Sequence, residues 1–479
     1  MPRYCMPLAC CALMLHLFTG CAEQPSQPPF AKSRVIILTD IGGDPDDQQS
    51  LVRLLLYSNE LDIEGIVVTG RVVRDMGPVI RTDLVRSRIY AYGQVRDNLI
   101  QHADGWPTVD FLMTRLKNGH HMPKRLFDRD TRKLTHMPAE EKIGRDINSD
   151  GAHWIIHQAD QPDPRPLWIC IWGTANDLAQ ALWQVRETRT PEELRTFVSK
   201  LRVYHIAYQD HTNRWLQENF PDLWTIQTSV PASDQLPFPW GTYKGIYEHG
   251  DTELSSATWT QEHIQRNHGP LGALYPRAYP YFKEGDSPSF MYLLPNGLNA
   301  PEHPGWGSWG GRFQGTAPMF TDVITSHIDT TDARHPDFRK DALMTVARWR
   351  RAFQNDFQAR MDWCVEPRDR VNHNPVVVVN GQAGRNILYM NAQPGTSLAL
   401  NADGSTDPDG DMLTYRWWQY EEADNYKNRV EISGASTPQC TVSIPTDAQG
   451  HTIHIILEIT DSGAPLLYAW RRVVITVEN

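Results

Sequence analysis

Over roughly its first two thirds the chain alternates short uninterrupted apolar runs with stretches of helical spacing, and afterwards it turns to residue-by-residue alternation. Arg34–Thr39 (RVIILT) is a β-rich apolar run that ends in acidic and glycine residues, with helical spacing following from about Gln48 to Leu56. An apolar strand that passes through a loop into a helix is the pattern of a parallel sheet covered on both faces. The pattern recurs at Ile63–Thr69 (IEGIVVT), at Leu167–Trp172 (LWICIW) with a helix around Leu178–Val185, and at Leu201–Ala207 (LRVYHIA). These units predict an α/β class domain, a mostly parallel sheet with flanking helices, over residues 34–371.

Near the end of that region, residues from about 335 to 363 carry Leu343, Val346, Trp349, Phe353 and Phe357 on one helical stripe, which predicts a closing helix. After Asn372-His373-Asn374-Pro375 the segments SLALNA, TYRWWQY, TVSIP, HIILEIT and RRVVITV are short alternating strands separated by turn residues. Strands at that spacing without a helix predict an all-β, Ig-like sandwich over residues 372–479. Trp417 and Trp418 fall on opposite faces of one such strand, so at least one belongs to the core. The run Asp407-Pro408-Asp409-Gly410-Asp411 could hold a calcium ion, but a tight turn between strands is the preferred reading.

The N-terminus departs from both patterns. Arg3 is followed by an apolar run from about Met6 to Phe18 and then Thr19-Gly20-Cys21. That run is shorter than the ~20 residues a membrane-spanning helix needs, so residues 1–20 read as an export signal. A small residue before a Cys at the end of such a run resembles a bacterial lipoprotein cleavage site. This predicts a lipid on Cys21 as the chain's only hold on a membrane, an exported periplasmic or outer-membrane location, and a Pro- and Gln-rich tether over 21–33. An ordinary signal peptide with an incidental Cys is the plainer reading. Of seven Cys, four lie in this segment. Cys170, Cys364 and Cys440 are too widely spaced for a disulfide framework or a metal cluster, although a single Cys364–Cys440 bridge stays open in an oxidising compartment.

Charge narrows the partners. The 46 Lys and Arg against 57 Asp and Glu in 479 residues give a net charge of −11, which argues against nucleic-acid binding through a basic surface. Sixteen Trp, 17 Tyr and 34 Pro suit an exported protein that handles carbohydrate.

The chemistry concentrates in LTDIGGDPDDQQSL, where Asp40, Asp44, Asp46 and Asp47 crowd the carboxyl end of the first strand. Carboxylates packed so closely repel one another unless a cation neutralises them, and a hard divalent ion with oxygen ligands, Ca2+, meets that need most simply. Gly42 and Gly43 let the backbone turn around an ion. The position also matches where open α/β sheets bind their ligands.

This loop resembles that of the nucleoside hydrolase superfamily, in which an acidic DxDxGxDD segment holds calcium. More closely, the chain is similar to the nucleoside-hydrolase-like family of cellulose-binding proteins, which add a C-terminal sandwich. NLIQHADGWPT, WGTANDLAQAL, KLRVYHIAYQD, ENFPDLW, EGDSPSFMYLLPNGL, WGSWGGRF, DGSTDPDGDMLTYRWWQY and HIILEITDSG carry the likeness. The resemblance implies that Asp40 ligates calcium and acts as general base, that Asp47 is a bidentate ligand and that Asp46 accepts hydrogen bonds from sugar hydroxyls. It further implies that the main-chain carbonyl of Asn176 and the carboxylate of Asp286 complete the coordination. Three departures stand out. Leu38 stands where nucleoside hydrolases have another Asp, Arg71 where they place an Asn, and Gly285 where a His assists the leaving base.

Outside the loop, Trp306 and Trp309 in GWGSWGGRF are spaced by glycines for sugar stacking, with Arg312 nearby for a polar or acidic group. Asp210 follows the LRVYHIA strand at the expected sheet edge and is taken as a pocket residue, and His211, His268 and His303 are candidate acids. The sequence therefore predicts a calcium-dependent hydrolase of glycosidic bonds acting on a saccharide or glycoside. A non-catalytic carbohydrate-binding protein with a structural calcium is the alternative. Phosphoryl transfer through an aspartyl nucleophile ranks last, because Gly42 stands where a second Asp is needed.

Overall fold

The computed structural model describes residues 1, 31–73, 77–121, 125–127, 134–136, 138–228, 241–277, 282–323 and 336–479. Apart from Met1, the expected export signal, Cys21 and nearly all of the expected tether lie outside them. The first part is built on an eight-stranded sheet of β1 (Ser33–Thr39), β2 (Leu61–Val68), β3 (Leu116–Asn118), β4 (Leu167–Ile171), β5 (Leu201–His205), β6 (Trp224–Gln227), β7 (Phe313–Thr316) and β8 (Met319–Asp322), in the order β7-β8-β6-β5-β4-β1-β2-β3. Every neighbouring pair is parallel except β7 with β8. The expected mostly parallel sheet is thus present.

The central strand shows why the apolar runs are uninterrupted. Val35 and Ile37 feed the core on one face while Ile36 and Leu38 feed the core on the other, so no position of β1 can be polar without facing a helix. Helices α1 (Asp46–Leu56) and α2 (Thr82–His102) pack on the first face. Helices α3 (Asp150–Ala159), α4 (Asn176–Thr188), α5 (Pro191–Ser199) and α6 (His211–Asn219) cover the second. The loops after β1, β2, β4 and β5 therefore emerge at one edge of the sheet.

A short helix, α7 (Ser287–Met291), follows Asp286. The single closing helix expected over 335–363 is two helices, α8 (Pro336–Ala347) and α9 (Arg350–Asp362), interrupted at Arg348–Trp349. The apolar stripe nevertheless runs across the break, and Leu343, Val346, Trp349, Phe353 and Phe357 are all buried.

Beside a two-residue pair, Val378–Val379 with Gln382–Ala383, the second part has seven strands in two larger sheets. One contains β9 (Leu388–Ala392), β11 (Thr414–Gln419), β14 (Thr452–Thr460) and β15 (Tyr468–Val477) in the order β9-β15-β14-β11. The other contains β10 (Ser397–Asn401), β12 (Ile432–Ser433) and β13 (Gln439–Ser443) in the order β10-β13-β12. Trp417 lies in the core formed by both sheets, and Trp418 turns outward to the ring of Trp349. Asp407 accepts the backbone N–H groups of Asp409 and Asp411, so the DPDGD run is built as a turn. Cys170, Cys364 and Cys440 are buried free thiols.

The two parts share a core. Trp470, Tyr420 and Ile456 of the sandwich belong to the same apolar cluster as the α1 and α2 face of the sheet, and Trp309 meets Trp470 edge to face at 5.7 Å. Arg472, fully buried, donates to the carbonyls of Leu298, Trp306 and Gly307 at 3.0, 3.1 and 2.9 Å. A sandwich side chain thereby satisfies loop carbonyls of the first part.

One buried ion pair fixes α1 against a segment 231 residues away. Arg53 Nε donates to Glu284, Arg53 Nη2 reaches the other Glu284 oxygen at 3.2 Å and Gln354 at 2.6 Å, and the guanidinium lies over Phe357 at 3.8 Å. Glu284 also accepts from Tyr275 at 2.6 Å and Ser287 at 2.9 Å. Replacing Glu284 by Gln leaves a guanidinium buried against a neutral amide and is expected to cost about 3–5 kcal/mol in chemical denaturation. A loss below about 1 kcal/mol would show that the pair does not hold the segment.

In the sandwich, buried Asp424 accepts the backbone N–H of His454 and the Gln419 amide, each at 2.6 Å, yet burial pushes its carboxyl up to about 6. A carboxyl raised in the fold favours the protonated form there. The unfolded chain thus releases its proton first, stability falls as pH rises from about 4 to about 6, and the penalty is complete above that. Asp424→Asn should flatten the pH 4–7 stability profile by up to about 3 kcal/mol, measured as the shift in denaturation midpoint between those pH values.

Candidate metal and substrate cleft

The acidic loop leaves β1 at Thr39, whose hydroxyl accepts the N–H of Ile41 at 3.1 Å and donates to Asp47. Gly42 has φ +108°, a left-handed conformation that a side chain would strain. The turn delivers Asp46 and Asp47 into the first turn of α1, where free backbone N–H groups and the helix dipole favour anionic side chains. From the other end of the chain, the Glu284 clamp places Asp286 against the same turn.

Oxygens of Asp46, Asp47 and Asp286 lie within 4.8 Å of one another. Asp47 and Asp286 are buried and Asp46 is partly exposed. Three carboxylates so close, two of them withdrawn from water, fit a divalent cation held by hard oxygen ligands. The sequence expectation grouped Asp40, Asp47, the Asn176 carbonyl and Asp286 as ligands and assigned Asp46 to sugar. In the structure Asp46 is one of the converging three, and Asp40 is not.

Asp40 is buried beside them, packed on the loop after β4. A Cβ on Gly173 would stand 2.6 Å from Asp40 Oδ1, so only glycine leaves room for this carboxylate. Asn176 follows in the same loop as the first residue of α4 and is fully buried. Its neighbour Asp177 is buried too, accepting the Ser149 hydroxyl and the His120 N–H, and burial pushes its carboxyl up to about 6. Gln209, after β5, donates to the Trp172 carbonyl at 2.5 Å and ties the neighbouring loop in place.

The departures from the nucleoside hydrolase pattern have structural counterparts. A Cβ on Gly285 would stand 3.1 Å from Tyr243 Cδ2, so the Tyr243 ring takes up the space beside the position where the superfamily carries its His. Burial, with Asp46 and Asp286 close by, pushes the Tyr243 phenol up and keeps it protonated. Arg71, just past β2, donates from Nη1 to the Asp40 main-chain carbonyl at 3.1 Å. Tyr243 escaped the sequence reading because nothing local marks it. The small residue before Asp286 was the one available clue.

The other expected site residues make contacts within the fold. Both side chains of the Asp210–Lys142 pair are fully buried, 2.7 Å apart, and Asp210 also accepts the Thr212 N–H to cap α6. Its carboxylate is thus committed to the fold. Trp306 stacks on His303 at 4.1 Å and meets His454, Trp309 packs between Phe353 and Trp470, and Arg312 lies against Gly307. These three sit at the junction with the sandwich, because sandwich side chains cover the loop that glycine spacing suggested was open. Trp309 lines a junction cavity of about 350 Å³ with Trp363, Tyr468 and Trp470. His268 pairs with Asp362 at 2.9 Å, and His211 begins α6.

The family model described as cellulose-binding Sde182, nucleoside hydrolase-like domain, matches residues 34–313, and that of the cellulose-binding protein Sde0182 C-terminal domain matches 397–477. A solved nucleoside hydrolase-related hypothetical protein from Saccharophagus degradans, associated with carbohydrate metabolism, is 37% identical. The match covers 94% of this chain and 100% of that one, with a TM-score of 0.76. The type III effector XopQ complexed with adenosine diphosphate ribose matches at 13% identity over 67% of this chain and 94% of that one, with a TM-score of 0.30. The PKD domain from KIAA 1837 protein matches at 18% identity over 19% of this chain and 82% of that one, with a TM-score of 0.15. No curated protein matches. With both halves matched in order and a homologous structure spanning nearly its whole length, the chain belongs to the family of cellulose-binding Sde182 proteins with a nucleoside hydrolase-like domain.

Proposed function

We propose that this protein is an exported, calcium-dependent hydrolase of glycosidic bonds acting on a saccharide or glycoside, with its catalytic cleft in residues 34–371 and a sandwich in 372–479. The observation that carries the reading is the convergence of Asp46, Asp47 and Asp286 at the carboxyl edge of the parallel sheet. Those three carboxylates and the main-chain carbonyl of Asn176 would hold Ca2+. When bound, such an ion favours deprotonation of water and anchors sugar hydroxyls. Asp40, packed on Gly173, takes a proton at its carboxylate from the water that attacks the anomeric carbon. The Tyr243 phenol, kept protonated, supplies a hydrogen-bond donor near Gly285, where the superfamily's base-assisting His is missing. That replacement favours a sugar or alcohol leaving group over a nucleobase. Residues 1–20 and a lipid on Cys21 would carry the protein outside the cytoplasm, where polymeric saccharides are met.

A second reading, carbohydrate binding without turnover, draws on the junction cavity lined by Trp309, Trp363, Tyr468 and Trp470 and on the family's cellulose-binding description. Reducing-sugar release from an oligosaccharide panel with calcium present separates the two. Asp40→Asn should lower kcat by roughly 10²–10⁴-fold while thermal unfolding stays cooperative. Turnover that survives this substitution would remove Asp40 from the mechanism, and binding by wild-type protein without any sugar release would favour the second reading.

A further inference from the structure

Arg71 stands at the carboxyl end of β2 beside the acidic loop, and it is partly buried. Its guanidinium fills the space of a side chain at Gly43, with Nη1 1.4 Å from where a Cβ there would stand, so only glycine permits this placement. Nη1 donates to the Asp40 main-chain carbonyl. Nε is buried without a partner, and among the described residues the guanidinium forms no ion pair with any carboxylate, although Asp40, Asp44, Asp46 and Asp47 share the loop it lies against. By contrast, Lys283 at the exposed rim approaches Asp44 at 3.9 Å.

A guanidinium nitrogen withdrawn from water, as Nε is here, normally spends its donor, because leaving it unmade is costly. Here Nη1 is anchored on a backbone oxygen and Nε is closed off from solvent, while Nη2 has no hydrogen-bond partner among the described residues and is not buried. Nη2 thus presents a charged donor to an oxygen of a planar or tetrahedral anion. The main-chain anchor sets that donor relative to Asp40, the residue expected to act on water.

We infer that Arg71 is a specificity determinant that receives an anionic group on the sugar, so that the preferred substrate is an acidic glycoside carrying a carboxylate or a phosphate. This rests on the reading of the cleft as a glycoside site. A neutral sugar leaves Nη2 without a charged partner, whereas an acidic one gives it a charge-assisted pair. Arg71 thus touches substrate without taking part in bond making or breaking.

Calorimetric titration of the calcium-loaded full chain tests the inference without requiring turnover. Glucose, glucuronic acid and glucose 6-phosphate serve as probes, and galacturonate oligomers are set against cello-oligosaccharides of equal length. At least one acidic probe should bind roughly 10- to 100-fold more tightly than its neutral counterpart, and the arm that does so distinguishes carboxylate from phosphate. In Arg71→Met that preference should collapse to near unity, and Arg71→Lys, which keeps charge but loses the planar fork, should retain part of it. Equal affinities in the wild type, no binding of either acidic sugar at millimolar concentration, or a preference that survives in Arg71→Met would overturn the inference. An Asp40→Asn variant that loses turnover but keeps the preference supports both readings. A wild type that prefers acidic sugars without hydrolysing any leaves this inference standing and removes the hydrolase.

Discussion

The cleft depends on the buried pair between Arg53 and Glu284. Helix α1 begins with Asp46 and Asp47 and carries Arg53 six to seven residues later, about 10 Å down its axis. The chain from Glu284 to Asp286 spans two residues, at most about 7 Å. Once Arg53 grips Glu284, the remaining chain is too short to let Asp286 wander from the start of the helix. One helix therefore presents two carboxylates and also sets the position of the third. The arrangement opposes electrostatic repulsion with a rigid lever, and a divalent cation would relieve the repulsion that remains.

Within that frame, the residues that differ from the nucleoside hydrolase pattern are linked by volume. Gly285 is small where Tyr243 stands close, and Gly43 is small where Arg71 lies flat against the loop. In both cases a large side chain from elsewhere takes the room that a glycine leaves. The Asp-rich half of the cleft keeps its carboxylates, while a phenol and a guanidinium stand at its walls.

The degree to which this was legible in the sequence follows from how local each feature is. The parallel sheet was readable because β1, β2, β4 and β5 must be apolar on both faces, and the acidic loop because its four Asp lie within eight positions. Asp286 could be found only through resemblance, since no short-range pattern joins it to residue 47. The Arg53 clamp and Tyr243 were invisible, because their partners are defined by the closed fold. The part Asp210 plays in the fold was hidden because a carboxylate after a strand can cap the next helix, and here a buried lysine takes its other oxygen. Trp306 and Trp309 looked open because their glycine-rich surroundings say nothing about the second sheet that covers them.

That covering has a further meaning for how such a chain can change over time. Trp470 and Arg472 penetrate the first part, the guanidinium closing hydrogen bonds that the loop 298–307 cannot close for itself. The sandwich is consequently part of the scaffold beneath the cleft and cannot be traded like a bead on a string. Joining it to a different first half, or trimming it away, would strip an oily seam bare on both sides, so neither half is an independent cargo.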